Sequence, residues 1–213
     1  MTDIVRFCVV RHGETGWNAE RRLQGHVDIP LNATGEAQAQ ATAQLLSGHA
    51  FDAAYTSDLR RAADTAAAIC ASRRPASPRA DLRERHYGIF QGLTYTEAET
   101  RHPEAYAHFE ARTPDEPIPG GGESLTRFQA RIRAAFDAMA DAHAGQTVLV
   151  VAHGGVLDIL NRMARQRPLE APRDFKIPNA ALNWLRRAPE GWSIEAWAQE
   201  AHLPGARDEL PNS

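Results

Sequence analysis

The stretch IVRFCVVRHGETGWN, Ile4 to Asn18, holds the most telling transition in the chain. Ile4 to Val10 is a β-branched, apolar run of the length of a buried strand. It then breaks off into Arg11 and His12, side by side, followed by a glycine, an acid and a hydroxyl. A core strand has no use for an arginine–histidine pair, so the pair predicts a strand whose carboxyl end opens into a site.

Outward from that strand, the pattern alternates. LNATGEAQAQATAQLLSG carries Ala37, Ala41 and Leu45 at helical spacing, with Thr34 as cap and Gly48 as stop. A short strand comes next, from Phe51 to Thr56. Ser57 or Asp58 is then expected to cap a helix with the stripe Leu59, Ala62, Ala66, Ile69 and Cys70. A further short strand is expected near Arg79 to Leu82. PGGGESL marks a loop, after which Leu125, Phe128, Ile132, Phe136 and Met139 draw an amphipathic helix starting near Ser124. Thr147 to Ala152 (TVLVVA) is a buried strand that runs through His153, Gly154 and Gly155 into another helix. Strands near Ala180 to Arg187 and Ser193 to Trp197, joined by APEGW, form an antiparallel hairpin.

This alternation predicts an α/β fold: a three-layer α/β/α sandwich around a mostly parallel sheet with an antiparallel edge hairpin. With 213 residues, 43% of them hydrophobic, the chain suits one domain, expected over 1–203. Residues 93–119, polar, aromatic and punctuated by proline, are expected to form a lid-like excursion outside the sheet, and 204–213 a flexible tail.

A formal net charge of −3 gives no electrostatic footprint for nucleic acid or an anionic membrane, so any anion site must be local. Of the 24 basic residues every one but Lys176 is an arginine, whose planar fork suits phosphate or carboxylate. Cys8 and Cys70 lie on apolar faces and read as buried free thiols. MTDIVRFCVV has an acid at position 3 and no basic leader, and nothing approaches the roughly 18 apolar residues of a membrane span. A cytoplasmic protein is the expectation. No glycine-rich loop carries a lysine, which excludes a nucleotide P-loop.

The strand ends supply the chemistry. Arg11 and His12 end the first strand, Arg60 opens the helix after the second, Glu84 comes after the third, and His153 after the fourth. Loops gather at the carboxyl edge of such a sheet, so these distant segments are predicted to converge there. Two histidines with an acid suggest a metal site, but two arginines beside them repel a divalent cation and attract an oxyanion. Held by Arg11 and Arg60, a phosphoryl group has its charge balanced by donors that tighten as the transition state forms. His12 is the candidate nucleophile, because Gly13 permits close approach to its ring. His153 would donate to a phosphate oxygen, with amides of the helix entered at Gly154 and Gly155. Glu84 is the candidate proton donor to the leaving oxygen and the base for water afterwards.

RHGETGWN, SDLRRAADTA, LRERHYGIFQG and VAHGGV together resemble the signatures of the histidine phosphatase superfamily, the phosphoglycerate mutase-like family, in its order and over roughly Asp3 to Leu203. The resemblance implies that His12 is phosphorylated, that Arg11, Arg60 and His153 form the phosphate pocket with help from Asn18, and that Glu84 is the proton donor. It implies no metal or organic cofactor. Gln24 and Gly25 fall where family members line the substrate pocket, although LQGHVD also reads as a surface turn. Tyr87 resembles a substrate-facing tyrosine, or else is a core aromatic. His26, His86, His102 and His108 read as surface or packing residues. Members are often dimers, which leaves room for a homodimer here.

Three functions compete. A phosphomonoesterase would discharge His12 with water, taking a small phosphate ester and releasing inorganic phosphate. A phosphoglycerate mutase would return the group to a second hydroxyl; ERHYG favours it. The third is a non-catalytic phospholigand binder. The excursion favours the first. Its acids Glu97, Glu99, Glu104, Glu110, Asp115 and Glu116 outnumber Arg101 and Arg112, whereas mutases carry a longer, basic insert to hold a substrate carboxylate. Phe90, Tyr95, Tyr106 and Phe109 are expected to face an apolar or aromatic leaving group.

Overall fold

A computed structural model describes residues 4–71 and 73–203. The expected tail at 204–213 lies outside the described residues. Among them one six-stranded sheet forms, with strands β1 (Val5–Arg11), β2 (Ala53–Ser57), β3 (Ser77–Arg79), β4 (Thr147–Ala152), β5 (Leu182–Ala188) and β6 (Gly191–Gln199) in the order β3-β2-β4-β1-β5-β6. β3, β2, β4 and β1 pair in parallel, and β5 and β6 close the edge antiparallel.

The pleat sorts the core into two layers. Phe7 and Val9 of β1 and Val148 and Val150 of β4 face one side, against Leu125, Phe128, Ile132 and Phe136 of α6 (Leu125–Ala142) and Val156, Ile159 and Leu160 of α7 (Gly154–Arg165). Cys8, Val10, Leu149 and Val151 face the other, against Ala62, Ala66 and Ile69 of α3 (Arg60–Ile69) and Leu46 at the end of α2 (Ala33–Leu45). Apolar residues on both faces explain the continuous runs in β1 and β4. Each fully buried large side chain contributes about 1.5–3 kcal/mol. The sandwich is therefore as the alternation predicted. No helix among the described residues is long and apolar enough to cross a membrane.

Three local expectations shift. Asn32, not Thr34, caps α2, because its side chain accepts from the Gly35 amide at 2.8 Å. Asp58 does not cap α3: it forms a two-pronged pair with Arg83, while Asp28 accepts from the Arg60 amide at 2.7 Å. The third strand ends at Arg79, where Asp81 folds back onto the Arg79 guanidinium and Ala80–Leu82 turn into a 3₁₀ helix that buries Leu82.

A short helix α1 (Gly16–Ala19) follows β1, and the excursion carries α4 (Tyr95–Arg101) and α5 (Pro103–Glu110). Phe90, Tyr95, Tyr106 and Phe109, expected to face a leaving group, instead pack on one another with Tyr87, Leu23 and Ile118. Phe90 is completely buried. A segment that cannot reach the main core makes a small one of its own.

Candidate active site

Register places the two histidines. Arg11 pairs with Ala152 across the parallel β1–β4 ladder, and the His12 amide donates to the Ala152 carbonyl at 2.9 Å, so His12 and His153 leave adjacent strands at the same level. Their ring centroids are 5.2 Å apart. His12 is held from several sides. Gly13 donates its amide to Thr65 of α3, and Asn179 donates to the His12 carbonyl at 2.9 Å. A Cβ at Gly13 would sit 2.4 Å from the Gly35 carbonyl oxygen, so the glycine is required by the first turn of α2 packing onto this loop.

Nδ1 of His12 lies 2.7 Å from the Gly13 carbonyl. A carbonyl only accepts, so Nδ1 carries the proton and Nε2 keeps a lone pair. Burial, with the charges of Arg61 and Arg11, holds the His12 pKa well below the ordinary imidazole value. His12 is thus neutral, the form that can attack. His153 is completely enclosed and also held well below the usual range, first by burial and then by Arg61. Neither of its ring nitrogens has a partner among the described residues.

Arg60 is corrected. Its side chain is 63% exposed and reaches Asp64 on the next turn. The adjacent Arg61 is 1% exposed and lines the cleft with Arg11, His12, Asn18, Gln24, Gly25, Glu84 and Tyr87. One step along a helix turns a side chain by about 100°, and that step decides between solvent and site. Arg61 sits one turn before Thr65, the residue that touches Gly13, and this spacing was the available signal. Carbonyls of Gly25 and Val27 hold the Arg61 guanidinium at 2.8 and 3.0 Å, with no carboxylate pairing to it among the described residues. Burial lowers its pKa to about 10. Arg11 donates to the Ile177 carbonyl at 2.6 Å.

Glu84 is 6% exposed. Its carboxyl oxygens accept from the amides of Arg85 at 2.7 Å and Gly155 at 2.9 Å, the latter in the first turn of α7. Burial raises its pKa above the ordinary value, against the opposing pull of those amides and of Arg61 and Arg11. The expectation that α7 amides would serve a phosphate is modified, since the Gly155 amide is taken up by Glu84. Gly154 begins α7 and is buried beside His153. A Cβ at 155 would lie 2.2 Å from a Glu84 oxygen, so this glycine makes the carboxyl's seat.

A second layer fixes Glu84 and has no counterpart in the sequence motifs. Arg131 of α6 donates to the carbonyls of Asp81, Arg83 and Glu84 and forks onto Glu123. His26 lies 2.8 Å from the Glu84 carbonyl through Nε2, which makes that nitrogen the donor. Asn18 is buried, closing the first turn of α1 by accepting from the Thr15 amide. Gln24 is buried with its carbonyl oxygen unpartnered, and Gly25 has a φ of +54°, so this pair belongs to the cleft and not to a surface turn.

A family profile, histidine phosphatase superfamily (branch 1), matches residues 7–200. The chain belongs to this superfamily. Among the similar relatives of this histidine phosphatase, "Phosphoglycerate mutase-like protein 4" of Arabidopsis thaliana is 44% identical over 206 residues, covering 94% of this chain and 88% of the relative. "Metal-independent phosphoserine phosphatase" of Arabidopsis thaliana is 39% identical over 207 residues, covering 95% and 84%. The solved structure of Bacillus stearothermophilus YhfR superposes with a TM-score of 0.86 at 30% identity, covering 93% of this chain and 99% of that one.

Proposed function

We propose that the protein is a phosphomonoesterase that hydrolyses small phosphate esters through a phosphohistidine on His12. The observation that carries this reading is a neutral, fixed His12 beside a buried Glu84 whose affinity for its proton is raised. The ester phosphate sits between Arg11 and Arg61, which balance its charge. Nε2 of His12 attacks phosphorus, the P–O ester bond breaks, and Glu84 gives its proton to the leaving oxygen. Water then attacks the phosphohistidine, its proton passes to Glu84, the P–N bond breaks, and inorganic phosphate leaves. His153, with free ring nitrogens beside His12, takes a phosphate oxygen.

The similarity to a metal-independent phosphoserine phosphatase supports hydrolysis without a metal. The free, buried Cys8 and Cys70 suit a reducing cytoplasm. The test is rapid quenching of turnover on p-nitrophenyl phosphate, followed by peptide mapping. The peptide carrying His12 is expected to hold a phosphoryl group, absent in His12→Ala. Turnover without that adduct overturns the mechanism.

The 44% identity to a protein named phosphoglycerate mutase-like keeps the mutase as second reading. Fast conversion of 3-phosphoglycerate to 2-phosphoglycerate with little phosphate release would put it first.

A further inference from the structure

The tautomer of His12 rests on one backbone carbonyl, and that carbonyl belongs to the peptide joining Gly13 to Glu14. Its oxygen accepts from Nδ1 of His12 at 2.7 Å. The amide of the same peptide, on Glu14, donates to Oε1 of Gln38 at 2.9 Å. A trans peptide is planar, with its carbonyl and amide pointing to opposite sides, so a partner that fixes one end fixes the other. Gln38, on α2 and 8% exposed, therefore sets the direction of the group that keeps the proton on Nδ1.

Gly13 creates the need for such a hold. A glycine has no Cβ to restrict its dihedrals, so the peptide after it can turn over at little cost. A Cβ there would sit 2.4 Å from the Gly35 carbonyl oxygen, so the packing onto α2 keeps that freedom in place. The neighbouring peptides are pinned elsewhere. The Gly13 amide, in the preceding peptide, donates to Thr65 at 3.0 Å, and the Glu14 carbonyl, in the following one, accepts from the Asn32 amide at 3.0 Å. The middle peptide is held by the His12 ring at one end and Gln38 at the other. Turned over, it would present an amide hydrogen to Nδ1 in place of a carbonyl. That arrangement favours a lone pair on Nδ1 and the proton on Nε2, where no attack on phosphorus is possible.

We propose that Gln38 is a positioning residue for the nucleophile: through the Gly13–Glu14 peptide it holds His12 in the tautomer whose Nε2 is free to attack. The kinetic consequence rests on His12 as the nucleophile, whereas the tautomer is observable without turnover.

Nitrogen NMR of the full chain carrying isotope-labelled histidine reads the tautomer, with the His12 signal assigned by its loss in His12→Ala. The parent is expected to show the proton on Nδ1, and Gln38→Leu a mixture in which a substantial share carries it on Nε2. On p-nitrophenyl phosphate, Gln38→Leu should lower kcat by about tenfold or more with KM within about twofold, because Arg11 and Arg61 still hold the phosphate. Gln38→Ala, with the same expectation, serves if Gln38→Leu does not fold. Gln38→Glu keeps an acceptor oxygen at the same reach and should restore both the Nδ1 proton and kcat to within about threefold of the parent. Gln40→Ala, exposed on the same helix, should match the parent. A tautomer that stays unchanged in Gln38→Leu, or no recovery in Gln38→Glu, overturns the role of Gln38. A tautomer that shifts while kcat does not overturns His12 as the nucleophile, and the proposal with it.

Discussion

The carboxyl edge of the sheet and the 93–119 excursion are built on opposite terms. At the edge, backbone pairing sets position: two parallel strands in register deliver His12 and His153 side by side, and backbone carbonyls hold the buried Arg11 and Arg61. In the excursion, side chains set position. Aromatic rings pack on each other, and ion pairs tie the segment down, Arg22 to Glu97 on one side and Arg112 to Asp158 on the other. The edge is therefore fixed by backbone register, while the excursion is fixed by side-chain contacts.

The sharpest break in that comparison comes from the tandem arginines. Arg61→Ala removes a buried donor at the phosphate and should lower kcat/KM by about a hundredfold or more for every ester, whereas Arg60→Ala should stay within about twofold. Steady-state kinetics on both variants decide it, and equal losses would return Arg60 to the site.

Next in size is Glu84→Gln. An alkyl ester needs its leaving oxygen protonated and should slow by about a hundredfold or more, while p-nitrophenyl phosphate, with a good leaving group, should slow much less. Equal slowing would deny Glu84 the role of acid.

Asp158→Ala addresses the excursion. It leaves Arg112 and Arg162 buried without their shared carboxylate, and loss of a buried partner costs about 3–5 kcal/mol. Urea unfolding should show that loss, and limited proteolysis should cut within 93–119 sooner than in the parent. An unchanged midpoint would mean that the Asp158 carboxylate does not hold the excursion.

The smallest effect is a pH slope. The folded-state pKa of His12 and of His153 is lowered, so the unfolded chain binds their protons first, and stability should fall as pH drops below the ordinary value of about 6.5. Glu84, raised in the fold, acts with the opposite sign, favouring the fold as pH falls through its raised value. Each histidine contributes at most about 1.4 kcal/mol per pH unit. His153→Ala should flatten the urea midpoint between pH 6.5 and 5; an unchanged slope would mean that imidazole is not sealed.

The same contrast explains what the chain disclosed in advance. His12 and His153 were legible because strand ends are legible: an apolar run stops, and the next residues lie at the edge, whereas Glu84 comes after a short polar strand and a 3₁₀ turn. Arg61 was missed because two identical residues stand together and only helical phase separates them. Arg131 and Glu123 gave no local sign, since their hold on the Glu84 segment is made across the fold. The aromatics of the excursion were recognised as a group but assigned the wrong neighbours, because composition shows that rings cluster and not what they cluster against.

The strand order has a consequence for biosynthesis. β4 lies between β1 and β2 in space yet comes many residues after both in the chain. A ribosome-bound fragment ending before Thr147 thus possesses His12, Arg11, Arg61 and Glu84, but neither His153 nor the strand that joins β1 to β2 in one sheet. Catalytic competence should appear abruptly during translation, with the insertion of a central piece made late, as expected of parallel sheets joined by distant contacts.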